Sequence, residues 1–248
     1  MTVTAVQGIG AQVRAVTPTA ARAQADFRAL LNVLSRPGVL DAVGSGDGPA
    51  ALSVAAGLAD VEVPTAVLTA PGEEHWARAL HLATSAPVAP PREARMVVAL
   101  RAPTAAEIAG LPRGDALHPE HGTRLIAAVA GLAVAGPSEA GLSESALSES
   151  ALSEAGLLDA GLAVADGDVP GDRLSGAEGP ETVLTLSGPG VPGTRRLRVA
   201  GLHRDVFAAL AAANAAFPAG IDTFLVARDG TVAGLPRSTR IEIENGEH

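Results

Sequence analysis

An acid and a base stand at the two open ends of a turn in FPAGIDTFLVARDGTVAGLPRSTR, residues 217–240. Two apolar segments flank Asp229-Gly230, a dipeptide that accepts positive φ in a tight hairpin loop. If Arg228 and Thr231 bracket a two-residue loop, Phe224 meets Leu235, Val226 meets Ala233 and Asp222 meets Arg237. A three-residue loop with a bulge would shift that register. A carboxylate and a guanidinium so placed can close the strand ends as a clasp. They can also leave some of the five arginine donors for a phosphate oxygen or a partner's carbonyl. Ser238 and Thr239 follow with two hydroxyls.

Three other stretches carry chemistry-bearing residues. GPGVPGTRR, from Gly188, could cradle phosphate on backbone N–H groups with Arg195 and Arg196 nearby, or be a tight loop between strands. Asp26-Phe27-Arg28 sits in a helical pattern, where Arg28 borders the apolar stripe and reads as a surface ion pair or part of a site. HPEH, His118–His121, offers two metal-ligating rings, but Pro119 argues against one continuous helix face carrying both. No metal is expected.

Absences narrow the chemistry further. All 18 basic residues are Arg, and the chain has no Lys, Tyr or Cys. Arg stays protonated at any usable pH, so Schiff-base chemistry, covalently held pyridoxal phosphate included, is excluded on this chain. Disulfides, thiolate nucleophiles, cysteine-bound zinc and iron–sulfur clusters are excluded as well. The usual phosphate-binding loop lacks its Lys. No nucleophile–base pair or dinucleotide fingerprint stands out.

The elements that must position these residues come from the patterning of the rest. With 248 residues, 47% apolar and 18% charged, the chain can bury a sizeable core. It has no apolar run of the ~18 residues a membrane span needs. A cytoplasmic protein is expected, with neither membrane nor nucleic acid as partner. The formal charge of −9 arises from residues 138–181, where ten acids face one Arg. Within them a five-residue unit repeats, GLSES ALSES ALSEA GLLDA, over 141–160. A five-residue step turns a helix by about 500°, so the repeated Leu positions form no single face. An acidic, low-complexity, largely disordered insertion over 138–181 is expected.

Outside it, helix and strand patterns alternate. Thr17 and Pro18 open a helix whose Phe27, Leu30, Leu31 and Leu34 form a buried stripe, stopped by Pro37-Gly38. ALSVAAGL and EEHWARALHLA read as helices, the second with Trp76 and Leu80 inward, and PTAVLTA and RMVVAL read as strands. Thr104 and Glu107 have capping-box spacing, TRLIAAVAGL and TVLTLS read as strands flanking the insertion, and HRDVFAALAAANAA precedes the hairpin. Both hairpin faces are apolar, which predicts helices on both sides of it. The fold expected is an α/β sandwich around a mixed sheet, in one domain over 1–248.

Three of these stretches, in this order, resemble the PhnH family. They are FRALLNVLSRPGV (Phe27 to Val39), LTLSGPGV (Leu184 to Val191) and FPAGID with LPRSTR (Phe217 to Arg240), with SAPV (Ser85 to Val88) between them. The motif positions are Phe27, Pro37, Gly38, Gly188, Pro189, Gly190, Phe217, Pro218, Gly220 and Pro236. Thr239 matches the second Thr of the family's Pro-Arg-Thr-Thr, and Ser238 replaces the first while keeping the hydroxyl. The acidic repeat departs from the family's pattern.

This family consists of subunits of the bacterial carbon–phosphorus lyase system, which uses organic phosphonates. The resemblance implies an αβα sandwich similar to pyridoxal-phosphate-dependent transferases but without their cofactor. It also implies a homodimer in isolation, or assembly with PhnG, PhnI, PhnJ and PhnL. In that system the G, H, I and L subunits together exchange the adenine of a nucleoside triphosphate for a phosphonate, giving ribose 1-phosphonate 5-triphosphate. Another subunit then breaks the carbon–phosphorus bond by radical chemistry. No catalytic residue carries over. Arg28, Asp222, Arg237, Ser238 and Thr239 stand as candidates for a ligand or subunit interface. A small enzyme acting alone on phosphorylated substrates, and a dimeric anion-binding scaffold, are the alternatives.

Overall fold

Short aliphatic runs bounded by turn residues have no polar face to show to water, so they fold where both faces are covered. Four such runs lie side by side in the computed structural model, which describes residues 2–44, 46–136 and 179–244. In chain order the first elements are α1 (Thr2–Val16), α2 (Ala20–Ser35), β1 (Leu40–Ala42), α3 (Ala50–Ala56), β2 (Thr65–Leu68), α4 (Glu74–Thr84) and β3 (Met96–Ala99). Next come α5 (Ala105–Ala109), β4 (Arg124–Val129), β5 (Gly131–Val134), β6 (Glu181–Ser187), β7 (Arg195–Ala200) and α6 (Arg204–Ala213). The chain closes with β8 (Asp222–Ala227), β9 (Thr231–Leu235) and β10 (Arg240–Ile243).

Strands β2, β3, β4 and β8 run parallel, β9 returns antiparallel beside β8, and β1 pairs antiparallel with β9 at the edge. The result is a six-stranded mixed sheet, ordered β1-β9-β8-β4-β3-β2. A second sheet, ordered β10-β6-β7-β5, is antiparallel throughout. One face of the mixed sheet packs Met96, Val98, Ile126, Phe224 and Val232 against Leu30 and Val33 of α2, Leu52 of α3 and Leu80 of α4. The other face packs Val97, Leu125, Leu225 and Leu235 against Leu184, Leu186 and Leu197 of the second sheet, with Ile108 of α5 and Phe207 of α6.

That second covering corrects the expectation of helices on both sides. β6 alternates buried and half-exposed residues, with Thr182, Leu184 and Leu186 inward, so one strand face suffices to cover the sheet and the other meets solvent. The expected strand TRLIAAVAGL is likewise two strands in two sheets, β4 and β5, divided at Ala130. The acidic insertion expected over 138–181 lies outside the described residues apart from Gly179, Pro180 and Glu181, the last of which opens β6. No described helix is long and apolar enough to cross a membrane.

The buried stripe of α2 also differs from expectation. Asp26, Ala29, Leu30 and Val33 face inward, whereas Phe27 and Leu31 are 49% and 52% exposed. The cause is close packing on β9. A Cβ placed on Gly234 would lie 2.7 Å from the backbone C and O of Val33, so the helix backbone rests on a glycine and admits only small side chains there. The helix is capped by Thr19, whose side chain accepts the Arg22 N–H, so it begins two residues later than Thr17 and leaves Pro18 outside. Asp26 turns inward because its Oδ1 accepts the Gly44 N–H at 2.8 Å, with Arg22 3.7 Å away.

Helix α5 carries the capping box expected from Thr104 and Glu107. Arg101 donates to both Glu107 oxygens, at 3.0 and 2.5 Å, and this pairing first of all holds the Glu107 carboxyl down to about 2. A carboxyl whose pKa is depressed on folding contributes stability above its unfolded value, and that stability is lost as pH falls toward the folded value. Both side chains are about one-third exposed, so Glu107→Gln is expected to lower stability at pH 7 by only about 0.5–1 kcal/mol. Urea unfolding of both proteins between pH 7 and pH 2.5 checks this, with the difference shrinking below about pH 4.5.

Candidate functional site

The hairpin that carries Asp222 and Arg237 closes through three residues, Arg228, Asp229 and Gly230. Gly230 takes φ +87° and donates to Ala227 O at 3.0 Å, while Asp229 Oδ1 accepts the Thr231 N–H at 2.9 Å. The register is therefore shifted by one from the two-residue expectation, pairing Thr223 with Leu235, Phe224 with Gly234 and Val226 with Val232. Arg237 is no longer a strand partner of Asp222. It reaches Asp222 because the chain turns after β9, with the Thr239 N–H donating to Pro236 O at 2.8 Å.

The contact is nevertheless dense. The Arg237 backbone N–H donates to Asp222 Oδ1 at 2.9 Å, Nε lies 3.1 Å from both oxygens, and Nη2 donates to Oδ2 at 2.6 Å. Nη1 donates to two backbone carbonyls, Pro119 O at 2.5 Å and Pro218 O at 3.3 Å. These contacts occupy Nε–H, both Nη1 hydrogens and one Nη2 hydrogen. Among the described residues, one of the five side-chain donors is left over. The side chains of Arg237 and Asp222 are 15% and 24% exposed, and the cluster sits where β4 and β8 begin, with Arg124 and Asp222 in register. Gly220 ties in beside it through its N–H to Arg113 O at 2.7 Å.

A second junction forms around the turn between β6 and β7. Arg195 Nη1 donates to Pro37 O at 3.0 Å and to Gly190 O at 3.2 Å, stapling the end of α2 to this turn. A Cβ on Gly188 would come within 3.0 Å of Ser238 O, so the segment after β9 abuts the same turn. Thr239 is buried there, and its hydroxyl has no hydrogen-bond partner among the described residues. Arg196 is committed elsewhere, donating to Glu244 and to Gly136 O, and this holds the Glu244 carboxyl below its usual range. Both Arg side chains of the turn are thus engaged in contacts within the chain, and the turn itself joins β6 to β7.

At the opposite end of the sheet, a cavity of about 340 Å³ opens beyond the C-terminal ends of β3, β4 and β8. Leu100, Ala128 and Val226 line its floor, Trp76 of α4 walls it, and Glu73 and the exposed Arg228 stand at its sides. Ligands of open α/β sheets bind outside the carboxyl ends of parallel strands. Beside the Asp222–Arg237 cluster, in contrast, His118, Glu120 and His121 converge on a 3₁₀ turn, Pro119–His121. Pro119 keeps them off an α-helix but does not keep them apart.

The family model for PhnH, described as bacterial phosphonate metabolism protein, matches residues 15–148 and 171–242. The chain belongs to the PhnH family. No curated protein matches the sequence. The interruption of the PhnH match falls inside the acidic segment, at 149–170.

Blocks far apart in this PhnH sequence thus meet in space. Pro37, Gly38, Gly188, Gly190 and Ser238 share the β6–β7 junction, and Pro218, Gly220, Asp222 and Arg237 share the cluster at the start of β8. Arg28 joins neither, lying exposed on α2 next to Phe27, and Phe217 is exposed as well. Sequence reasoning missed the cavity lined by Trp76 and Arg228, although strand polarity would have pointed to that end of the sheet. It also missed Glu120 as a third donor beside the two His, because Pro119 rules out a shared α-helical face and not convergence on a 3₁₀ turn.

Proposed function

We propose that this PhnH chain acts as a non-catalytic subunit of the bacterial carbon–phosphorus lyase core assembly. With PhnG-, PhnI-, PhnJ- and PhnL-type partners, it supports formation of ribose 1-phosphonate 5-triphosphate from a nucleoside triphosphate and a phosphonate. The observation that carries this reading is the outward face of α2. Phe27 and Leu31, one turn apart inside a family-matched block, stand about half exposed with Arg28 between them. An aromatic ring, an aliphatic side chain and an arginine together have the composition of an interface anchor. The same face would serve a homodimer in isolation. A relation to pyridoxal-phosphate-dependent transferases belongs to this reading, supported by the mixed sheet, in a chain that has no Lys to hold that cofactor covalently.

The test is co-expression with the four partner subunits followed by size-exclusion chromatography. The wild-type chain is expected to co-elute with them, and a Phe27→Asp, Leu31→Asp variant to elute apart while keeping its thermal midpoint, a loss of about 30-fold or more in affinity. A wild-type chain that elutes alone overturns the proposal. The cavity at the strand ends favours a second reading, an anion-binding scaffold or a small enzyme for phosphorylated ligands. Adenine release by the purified chain from a nucleoside triphosphate and a phosphonate, without partners, would transfer the assignment to that reading.

A further inference from the structure

We propose that His118, Glu120 and His121 form a binding site for a divalent transition cation of the zinc class, separate from the surface that supports assembly. Tetrahedral zinc holds N and O donors at about 2.0–2.2 Å, which sets neighbouring donors about 3.3–3.5 Å apart. Glu120 Oε1 lies 3.2 Å from His118 Nδ1 and 3.6 Å from His121 Nε2, and all three ligand atoms fall within 4.8 Å of one another. The two rings stack, with centroids 4.9 Å apart and planes 15° from parallel, and each has a nitrogen near the same carboxylate oxygen. An imidazole ligates in its own ring plane, so the rings turn out of the stack to share one ion, a movement their exposure allows.

The backbone beneath them is held from several elements. Asp115 Oδ1 accepts the N–H groups of Leu117 and His118, each at 2.8 Å, and the His121 N–H donates to His118 O at 3.1 Å. Arg237 and Gly122 both donate to Pro119 O, and Arg95 Nη1 donates to Glu120 O at 2.9 Å. The proline ring fixes φ within the turn. Ligand spacing is thus set before any ion arrives, which limits the ordering required on binding. Two imidazoles and one carboxylate suit zinc, nickel or copper over magnesium or calcium, which prefer all-oxygen shells. Three protein ligands leave a position for water or for an oxygen of an anionic ligand.

Isothermal titration of the untagged full-length protein with zinc chloride, in buffer free of chelator and phosphate, tests the site. One zinc per chain is expected, with a Kd on the order of micromolar. His121→Ala and Glu120→Gln should each weaken it about tenfold or more. His203→Asn, which disrupts another exposed histidine–carboxylate pair, should leave it unchanged, and millimolar magnesium should not compete. No saturable binding by the wild-type protein below about 100 μM zinc, or affinities unaltered in both site variants, overturns the proposal.

Discussion

Gly190→Ala is expected to destabilise the protein by about 3 kcal/mol or more, lowering the thermal midpoint by about 6–12 °C for a chain of this size. Two effects add. Gly190 has φ +79°, a left-handed conformation that costs a residue with a Cβ about 1–2 kcal/mol. The added carbon would also lie 2.1 Å from Ser35 O and 3.1 Å from Pro37 Cδ, so the end of α2 must move away from the β6–β7 turn. That movement strains the Arg195 staple, because Arg195 holds Pro37 O and Gly190 O at once. Gly193 in the same turn supplies the control. Its φ is +65° and a Cβ there meets nothing within 4 Å, so Gly193→Ala should show the conformational part alone, about 1–2 kcal/mol. Thermal unfolding of both variants separates the terms. Equal losses would mean that the junction yields without resistance and that packing of α2 against the turn contributes nothing.

Removing one partner of the Asp222–Arg237 cluster should cost nearly as much. A fully desolvated pair loses about 3–5 kcal/mol when one charge is stranded, and the partial exposure here reduces that to about 2–3 kcal/mol. The two single variants should not be equivalent. Arg237→Ala also frees the carbonyls of Pro119 and Pro218, so it should be the more destabilising. Asp222→Ala leaves those two contacts in place and removes the acceptors for Nε, Nη2 and the Arg237 backbone N–H. The double variant should then be less destabilised than the sum by about 1–2 kcal/mol. Urea unfolding of the four proteins gives the cycle, and strict additivity would sink the clasp. Co-elution of the folded double variant with the partner subunits, read in parallel, decides whether the remaining Nη2 donor serves anything outside the chain. Wild-type assembly would make the cluster a clasp and no more.

Local signals in the sequence were informative where one short segment determines the outcome. The capping box of α5 needs only Thr104 and Glu107, and the hairpin needs only Asp229-Gly230 between two apolar runs. The loop length of that hairpin was not determined locally, because the same dipeptide serves a two-residue loop and a three-residue loop with glycine last. Asp222 and Arg237 still meet, since the turn after β9 brings both the backbone N–H and the guanidinium of Arg237 onto the carboxylate. The inward face of α2 was hidden for a different reason. Its periodicity admits two adjacent stripes, and the choice is made by Gly234, a residue about two hundred positions later that lets the backbone of Val33 come close. The division of β4 from β5 is equally non-local, for the apolar run continues through Ala130 while the sheet it belongs to changes. Candidate residues were legible as motifs, but their grouping into a cluster, a junction and an outward face required the fold.

Strands β4 and β8 are hydrogen-bonded neighbours, yet β5, β6, β7 and α6 all lie between them in the chain. Three strands of the second sheet are in effect the crossover of one parallel strand pair. Folding must therefore close a very long loop before the centre of the mixed sheet exists, and chains dominated by such distant pairings fold slowly. The same arrangement makes that crossover permissive to lengthening. The closure penalty grows only with the logarithm of loop length, about 0.6 kcal/mol per doubling, and the residues between β5 and β6 sit inside a loop that is already long. The place where the family match is interrupted, 149–170, is thus among the cheapest positions in this topology for a lineage to accumulate extra sequence without altering the native sheet order.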